Sequence, residues 1–490
     1  VTMPVMNYLS LSFSTVFYLS LYLLNFFAVI AVIFIERRSQ TSALLWAIVL
    51  LFVPVFGFIF YLFLGKGPVF GRKKKFLNKY YADSKYSANV MKQLELFNRL
   101  SDNTTNTATA NIIKYNMNYE GSMCTFRNHV RIYTDIKCQY DDMIRDIENA
   151  EHFVNVLYFI IQPDKSGDRL KKALIKKAKQ GVDVKLVYDD VGCKNIDKRY
   201  FQDLIKAGGK VVKFFPSRIK FLNLNLNYRN HRKIVVIDNK YGYMGGANIG
   251  DEYIGQSKKK IKPWRDTHLK ISGEAVFLMN LRFMQDFNFS NKDEVEPEPY
   301  NPQCVIDQKI SPIQFISDGP DSVDGIIESC YIKAIYSATK RIYIQTPYLI
   351  PDEVFLEALK AAARSGIDVR IMIPGLPDKP MVYACSLSYA AELAETGCKI
   401  FLWNGFIHSK TLLIDDDISS VGSFNIDIRS FKLNFEMTAF LYDEAVAQEM
   451  LEIFMQDMEN SREYTMADVK NRSIVQRMKE RVMRLLSPLF

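Results

Sequence analysis

One block of sequence occurs twice in this chain, and the duplication limits the available folds more than any other feature. Residues 170–185 (LKKALIKKAKQGVDVK) and 356–370 (LEALKAAARSGIDVR) both read as a helix, a glycine stop and a strand. Gly181 matches Gly366, and Asp183 matches Asp368. Next, Leu204 and 208–211 (GGKV) match Leu393 and 397–400 (GCKI). The segment 231–238 (HRKIVVID) then matches 408–415 (HSKTLLID), and 283–286 (FMQD) recurs as 454–457. Order is kept throughout. Each copy alternates short β-branched runs (184–188, 211–215, 234–237; then 369–373 and 411–414) with helical ones. The expectation is an α/β fold of two similar halves in a pseudo-two-fold arrangement.

The duplicated segment also carries the chemistry. The chain has five histidines, and two of them, His231 and His408, begin a His-x-Lys-x4-Asp pattern completed by Lys233 and Asp238, and by Lys410 and Asp415. On a strand, the period of two places each histidine and its lysine on one face. Imidazole serves as nucleophile and as acid or base near neutral pH. A neighbouring ammonium steadies charge on a phosphoryl oxygen. Asn248 and Asn425 follow at equal distances, and their amides can share the oxyanion load, as can Ser423, whose place in the first half is taken by Gly246. Two such sets facing each other make one site around one phosphodiester. No metal or other cofactor is required. His129 and His152 stand apart from any motif and read as structural or surface residues; His268, beside Asp266, reads equally as site support or structure.

The N-terminus sets a second constraint. Residues 1–35 and 39–65 carry no charged side chain. The apolar runs 8–35 and 43–64 each reach the roughly 20 residues a helix needs to cross hydrocarbon. Residues 1–65 are therefore expected to form a transmembrane helical hairpin. Pro54 and Gly57 inside the second run are tolerated in membrane helices. Lys66, Arg72, Lys73, Lys74, Lys75 and Lys79 follow it with no acid before Asp83, which places the bulk of the chain on the cytoplasmic side of the cell membrane. The same cluster attracts anionic lipid. The seven cysteines form no C-x-x-C pair and read as free thiols, in keeping with a reducing compartment. The remaining divisions are a basic juxtamembrane segment and linker at 66–111 (with an Asn/Thr-rich loop at 101–111), a first half at 112–292, an acidic, proline-rich connector at 293–304, a second half at 305–464 and an amphipathic tail at 465–490. Val469, Ile474, Met478, Val482 and Leu485 repeat in the tail at helical spacing and read as a surface helix on protein or membrane, with packing on protein the default. Lys258–Lys262 reads as a solvated basic run.

The doubled His-x-Lys-x4-Asp motif, followed by 245–250 (GGANIG) and 422–425 (GSFN), resembles the phospholipase D superfamily. The N-terminal spans, 158–160 (YFI), 263–268 (PWRDTH), 346–353 (TPYLIPDE) and 484–490 (RLLSPLF) narrow the resemblance to bacterial cardiolipin synthases of the two-motif type. The resemblance covers nearly the whole chain. It implies transfer of a phosphatidyl group between two phosphatidylglycerol molecules through a phosphohistidine, with His231 as nucleophile and His408 as general acid, then base. The motif acids Asp238 and Asp415 would be supports. Downstream acids would orient the histidines, Glu436 serving His408 and Asp266 serving His231. Implied partners are phosphatidylglycerol, other anionic lipids and the bilayer, with no nucleic acid. A hydrolase or nuclease of the same superfamily, with water as acceptor, is the alternative, and a catalytically inert membrane scaffold is a third reading.

Overall fold

The computed structural model describes residues 13–35, 40–64, 107–197, 199–216, 227–256, 263–291, 295–296, 310–320, 322 and 325–487. The basic cluster after the second apolar run, the Lys258–Lys262 run and most of the 293–304 connector lie outside these residues. The chain divides into two compact units, one comprising residues 1–73 with 217–227 and the other holding the rest.

In the first unit an apolar helix, Phe13–Ile30, continues as a π-helical turn, Ala31–Ile35. Residues 15–34 form 20 consecutive positions apolar enough to cross a membrane, about 30 Å at 1.5 Å per residue. The second apolar run forms two helices instead of one, Gln40–Phe52 and Pro54–Leu64. Proline has no amide hydrogen to continue the ladder, so the helix breaks at Val53. Gly57 lies so close to Val49 that an added Cβ would stand 2.5 Å from its carbonyl oxygen. Ala28, Val32, Leu50 and Tyr61 make a small packed seam, while Phe17, Phe27, Phe34, Phe52 and Phe56 are exposed.

The second unit is built on one sheet of sixteen strands among the described residues. The first half supplies β1 (Cys124–Tyr133), β2 (Phe153–Tyr158), β3 (Asp183–Asp189), β4 (Lys210–Phe214), β5 (Arg229–Asn230), β6 (Ile234–Ile237), β7 (Tyr241–Gly245), β8 (Trp264–Arg265) and β9 (His268–Gly273). The second supplies β10 (Ile310–Asp318), β11 (Arg341–Gln345), β12 (Leu349–Ile350), β13 (Asp368–Pro374), β14 (Lys399–Trp403), β15 (Phe406–Ile407), β16 (Thr411–Ile414), β17 (Ile418–Gly422), β18 (Ile426–Asp427), β19 (Asn434–Leu441) and β20 (Ser461–Glu463). Outward from the centre the order is β1-β9-β7-β6-β2-β3-β4 on one side and β10-β19-β17-β16-β11-β13-β14-β20 on the other. β1 and β10 pair antiparallel, so the sheet runs through both halves and its middle is the pseudo-two-fold axis. The β12–β18 and β15–β8 pairs are separate two-stranded ladders.

The repeat explains this symmetry locally. Helices Lys165–Lys179 and Glu353–Arg364 are capped by Asp164 and Asp352 and bury Leu170, Leu174, Leu356 and Leu359. Gly181 and Gly366 follow at φ +88° and +87°, a conformation that costs a side chain with Cβ, and turn the chain into β3 and β13. Emptying one of these buried leucine sites to alanine costs about 2–5 kcal/mol.

Two expected boundaries move. The loop expected at 101–111 gives way at Thr107 to a helix, Thr107–Glu120. Its Ile112, Ile113 and Met117 are buried in the core of the second half, although the first half was expected to begin there. Those side chains recur at helical spacing, and burial outweighs the weak propensity of the Asn/Thr neighbours. The tail forms helices Met466–Lys470 and Ile474–Leu485. Val469 is buried as expected, whereas Ile474, Met478, Val482 and Leu485 are exposed.

Candidate active site

Neither motif histidine lies within a strand. His231 and Lys233 occupy an extended stretch between β5 and β6, and His408 and Lys410 one between β15 and β16. What fixes them is a ladder to the opposite half. β5 pairs parallel with β19, and the His231 amide donates to the Phe435 carbonyl at 2.9 Å. By the same operation β15 pairs parallel with β8, and the His408 amide donates to the Arg265 carbonyl at 2.6 Å. The residue after each of those carbonyls is an acid, Glu436 or Asp266. Each acid is thereby delivered to the histidine of the other half.

The side chains confirm this crossing and correct the expected pairing. His231 Nδ1 meets both oxygens of Glu436, at 2.9 and 3.0 Å. His408 Nδ1 meets Asp266 Oδ2 at 2.7 Å. The expectation had Glu436 with His408 and Asp266 with His231. It failed because a sequence gives the order of elements along a chain, whereas the partners are set by pairing between chain-distant strands. Both acids are fully buried while the histidines retain 8% exposure. Holding Nδ1 leaves Nε2 as the ring atom for chemistry.

The two acids are held differently. Glu436 accepts from Ser423 Oγ at 2.5 Å, Ser430 Oγ at 3.0 Å and Asn434 Nδ2 at 3.2 Å. Ser423, expected to meet a phosphoryl oxygen, thus supports the carboxylate instead. Its counterpart Gly246 leaves room for Asp266: an added Cβ there would stand 2.0 Å from Asp266 Oδ1. That oxygen accepts the Thr267 amide at 2.8 Å.

Lys233 donates to the His231 carbonyl at 2.6 Å, and Lys410 to that of His408. Each lysine also acts electrostatically on the other half's histidine, which brings the two motifs into one site. Burial pulls the lysines down, Lys233 to about 7 and Lys410 to about 8, with Glu436 and Asp266 opposing. Burial is also the main cause lowering His231 to about 4 and His408 to about 3, each against the pull of its carboxylate. Glu436 and Asp266 resist the upward push of burial and lie below their ordinary values, held by the histidines and lysines. Burial thus favours neutral imidazoles, each beside a carboxylate that stays ionised. Phe159 lies edge-on to His231, with ring centroids 5.0 Å apart, and Trp264 lies 5.1 Å from His408.

The motif acids sit away from the rings. Asp238 (φ 54°) accepts the amides of Glu151, His152 and Phe153 at 2.7, 2.9 and 2.7 Å. Asp415 (φ 50°) accepts those of Thr339, Lys340 and Arg341 at 2.8, 2.7 and 2.9 Å. Both tie down the start of a neighbouring strand, β2 or β11, and touch neither histidine. Asn248 Oδ1 accepts the Ile160 amide at 3.2 Å, and Asn425 interacts with Asp427, so neither amide hydrogen-bonds a histidine. His268 is fully buried, with both ring nitrogens unpartnered, and burial lowers it to about 4.

The sequence reading passed over two arginines. Arg232 binds Asp286 through Nη1 at 2.8 and 2.9 Å and donates from Nε to the Glu436 carbonyl at 2.9 Å. Arg265 binds Asp457 at 3.0 and 2.8 Å and reaches Ser409 Oγ at 3.3 Å. These ion pairs brace the loops that carry the histidines. The recurring FMQD block held the signal, since its acid is the arginine's partner in both halves. Among the described residues no cluster of three or more His, Cys, Asp or Glu could hold a metal ion.

Two duplicated His-Lys motifs, joined across a pseudo-two-fold sheet, define a phospholipase D-like protein. The family model described as "Cardiolipin synthase, PLD-like domain" matches residues 143–259 and 331–458, and one described as "Phospholipase_D-nuclease N-terminal" matches 23–66. The chain is 42% identical over 481 residues to a cardiolipin synthase of Staphylococcus aureus, covering 96% of each. It is also 42% identical over 475 residues to one of Listeria monocytogenes, covering 96% of this chain and 98% of that one. The crystal structure of phosphatidylserine synthase from Haemophilus influenzae shares the fold at a TM-score of 0.57 and 14% identity, covering 74% of this chain and 95% of that one. This chain therefore belongs to the cardiolipin synthase family, a group of phosphatidyltransferases within the phospholipase D superfamily.

Proposed function

We propose that the chain joins two phosphatidylglycerol molecules into cardiolipin and releases glycerol. The observation that carries this reading is the crossed pair of buried histidine–carboxylate contacts between two lysines. His231 Nε2 attacks the phosphorus of the first lipid, the P–O bond to glycerol breaks, and His408 gives glycerol its proton. The terminal hydroxyl of the second lipid then attacks the phosphohistidine, His408 takes the proton, and the P–N bond breaks. One phosphodiester replaces another, so no nucleotide is consumed. The assignment of roles is supported by grip. Glu436 holds His231 with both oxygens and is itself held by three side chains. His408, which must release and recover a proton, rests on one oxygen of Asp266.

Lys233 and Lys410 receive the phosphoryl oxygens, with Asn248 and Asn425 as further amide donors. A phosphodiester anion between the lysines offsets their repulsion of the imidazoles and raises the histidines' affinity for a proton, so His408 gains its acid form as substrate binds.

The two apolar runs anchor the chain as a hairpin, with the catalytic unit and the basic segment after residue 65 on the cytoplasmic side. A bilayer also supplies both substrates in one leaflet. Purified protein in phosphatidylglycerol micelles is expected to yield cardiolipin and glycerol in equal amounts. Phosphatidic acid as the dominant product, without cardiolipin, overturns the reading in favour of hydrolysis.

A further inference from the structure

The helix Ile474–Leu485 packs with the wrong face inward for a soluble protein. Its inward edge is largely polar. Glu480 is 2% exposed and pairs with Arg472 at 2.6 Å. Arg484 pairs with Glu392 and stacks 4.2 Å from the Tyr389 ring, which fixes the helix on its neighbour Pro380–Glu395. Met483 alone of its large apolar residues joins the core beneath. The outward side is apolar: Ile474, Val475, Met478, Val482 and Leu485 are 78, 76, 62, 50 and 82% exposed. At 100° per residue these five fall within about 100° of the helix circumference. Arg477 and Arg481 border the strip on one side and Lys479 on the other, and all three are exposed. The helix has one acid, Glu480, and it faces inward.

An ordinary amphipathic helix buries its apolar strip. This one uses ion pairs to hold that strip away from the protein. Exposing five large apolar side chains in water is unfavourable. A bilayer interface removes that cost, and a basic border free of acids complements anionic headgroups. The same chain carries a helix apolar enough to cross a membrane.

We propose that Ile474–Leu485 lies in the interface of an anionic bilayer, with its five-residue strip among acyl chains and Arg477, Lys479 and Arg481 at the phosphates. It is a second membrane contact, on the catalytic unit itself. The choice of an anionic lipid rests on the reading of phosphatidylglycerol as substrate.

The test uses the full chain in nanodiscs, with a nitroxide on M478C or, separately, Q476C, in a background where Cys138 and Cys304 are serine. In phosphatidylglycerol discs position 478 is expected to be severalfold more accessible to oxygen than to a nickel chelate, and position 476 the reverse. In phosphatidylcholine discs the ratio at 478 should fall severalfold. A nickel-accessible 478 in phosphatidylglycerol overturns the proposal. So does protection from both reagents in both lipids, the mark of a covering segment of the same chain. Spin–spin broadening that disappears on dilution with unlabelled protein also overturns it, since a second copy would then be the occupant. In parallel, Met478→Glu with Val482→Glu is expected to raise the apparent KM for vesicle phosphatidylglycerol about tenfold and leave turnover of monomeric short-chain phosphatidylglycerol unchanged. An unchanged vesicle KM counts against the proposal. The spin-label result does not depend on what product forms, so failure here is separable from failure of the synthase reading.

Discussion

The two half-sites are near copies in sequence but hold their histidines by different means. Around His231, a long acid is gripped by Ser423, Ser430 and Asn434. Around His408, a shorter acid occupies the space that Gly246 leaves open. The backbone pairing is the same in both, β5 with β19 and β15 with β8. Duplication thus preserved the ladder that crosses the halves, while the carboxylate's surroundings diverged. On the proposed mechanism, that divergence suits a fixed nucleophile at His231 and a proton carrier at His408.

The largest expected effect comes from removing either ring. His231→Ala and His408→Ala should each lower cardiolipin formation on the order of 10⁴-fold with natural lipid, as read by headgroup-resolved product analysis. Intact turnover in either variant would break the comparison, since one half would then suffice. Next comes exchange of the two surroundings. Gly246→Ser places an atom against Asp266 and should cost about 100-fold in kcat, whereas Ser423→Gly removes one of several supports of Glu436 and should cost about tenfold. Equal losses would show that the halves are held alike.

A third contrast separates motif acid from catalytic acid. Asp238→Asn and Asp415→Asn should each lower stability by about 1–3 kcal/mol through weakened amide contacts, as read by thermal unfolding, with kcat within about threefold at a temperature where the protein is folded. A loss of kcat without a loss of stability would return these acids to the chemistry. The smallest effect is in pH dependence. Lysine is charged below its pKa, so the burial that lowers Lys233 to about 7 and Lys410 to about 8 makes the phosphate-binding charge decline as pH rises. The ratio kcat/KM should therefore fall as pH rises through about 7 to 8. Lys410→Arg, always charged, should retain less activity but lose its share of that decline.

Much of this was legible in the sequence because duplication doubles every signal. The paired HxK motifs and the matched glycines at 181 and 366 follow from comparing the chain with itself, whereas Glu436 and Asp266 entered only through the resemblance to the phospholipase D superfamily. The crossing was not legible. The partnership of β5 and β19 depends on contacts between residues about 200 apart in the chain, and no local pattern encodes it. Ser423 was assigned to phosphate because its hydroxyl suits either role, and only position shows that a carboxylate takes it. The tail was misjudged for a related reason: periodicity identifies an amphipathic helix but not which face the protein keeps. The break at Val53 was foreshadowed by Pro54, which the sequence reading accepted as compatible with a continuous helix.

The crossing is tested most directly by a phosphatidyl ester of p-nitrophenol, whose leaving group departs without a proton. Rapid mixing should show a burst of p-nitrophenolate with His408→Ala and with Asp266→Asn, as with the unmodified enzyme, and none with His231→Ala or Glu436→Gln. A pattern that grouped Asp266→Asn with His231→Ala, and Glu436→Gln with His408→Ala, would mean that each acid serves its own half and would contradict the account.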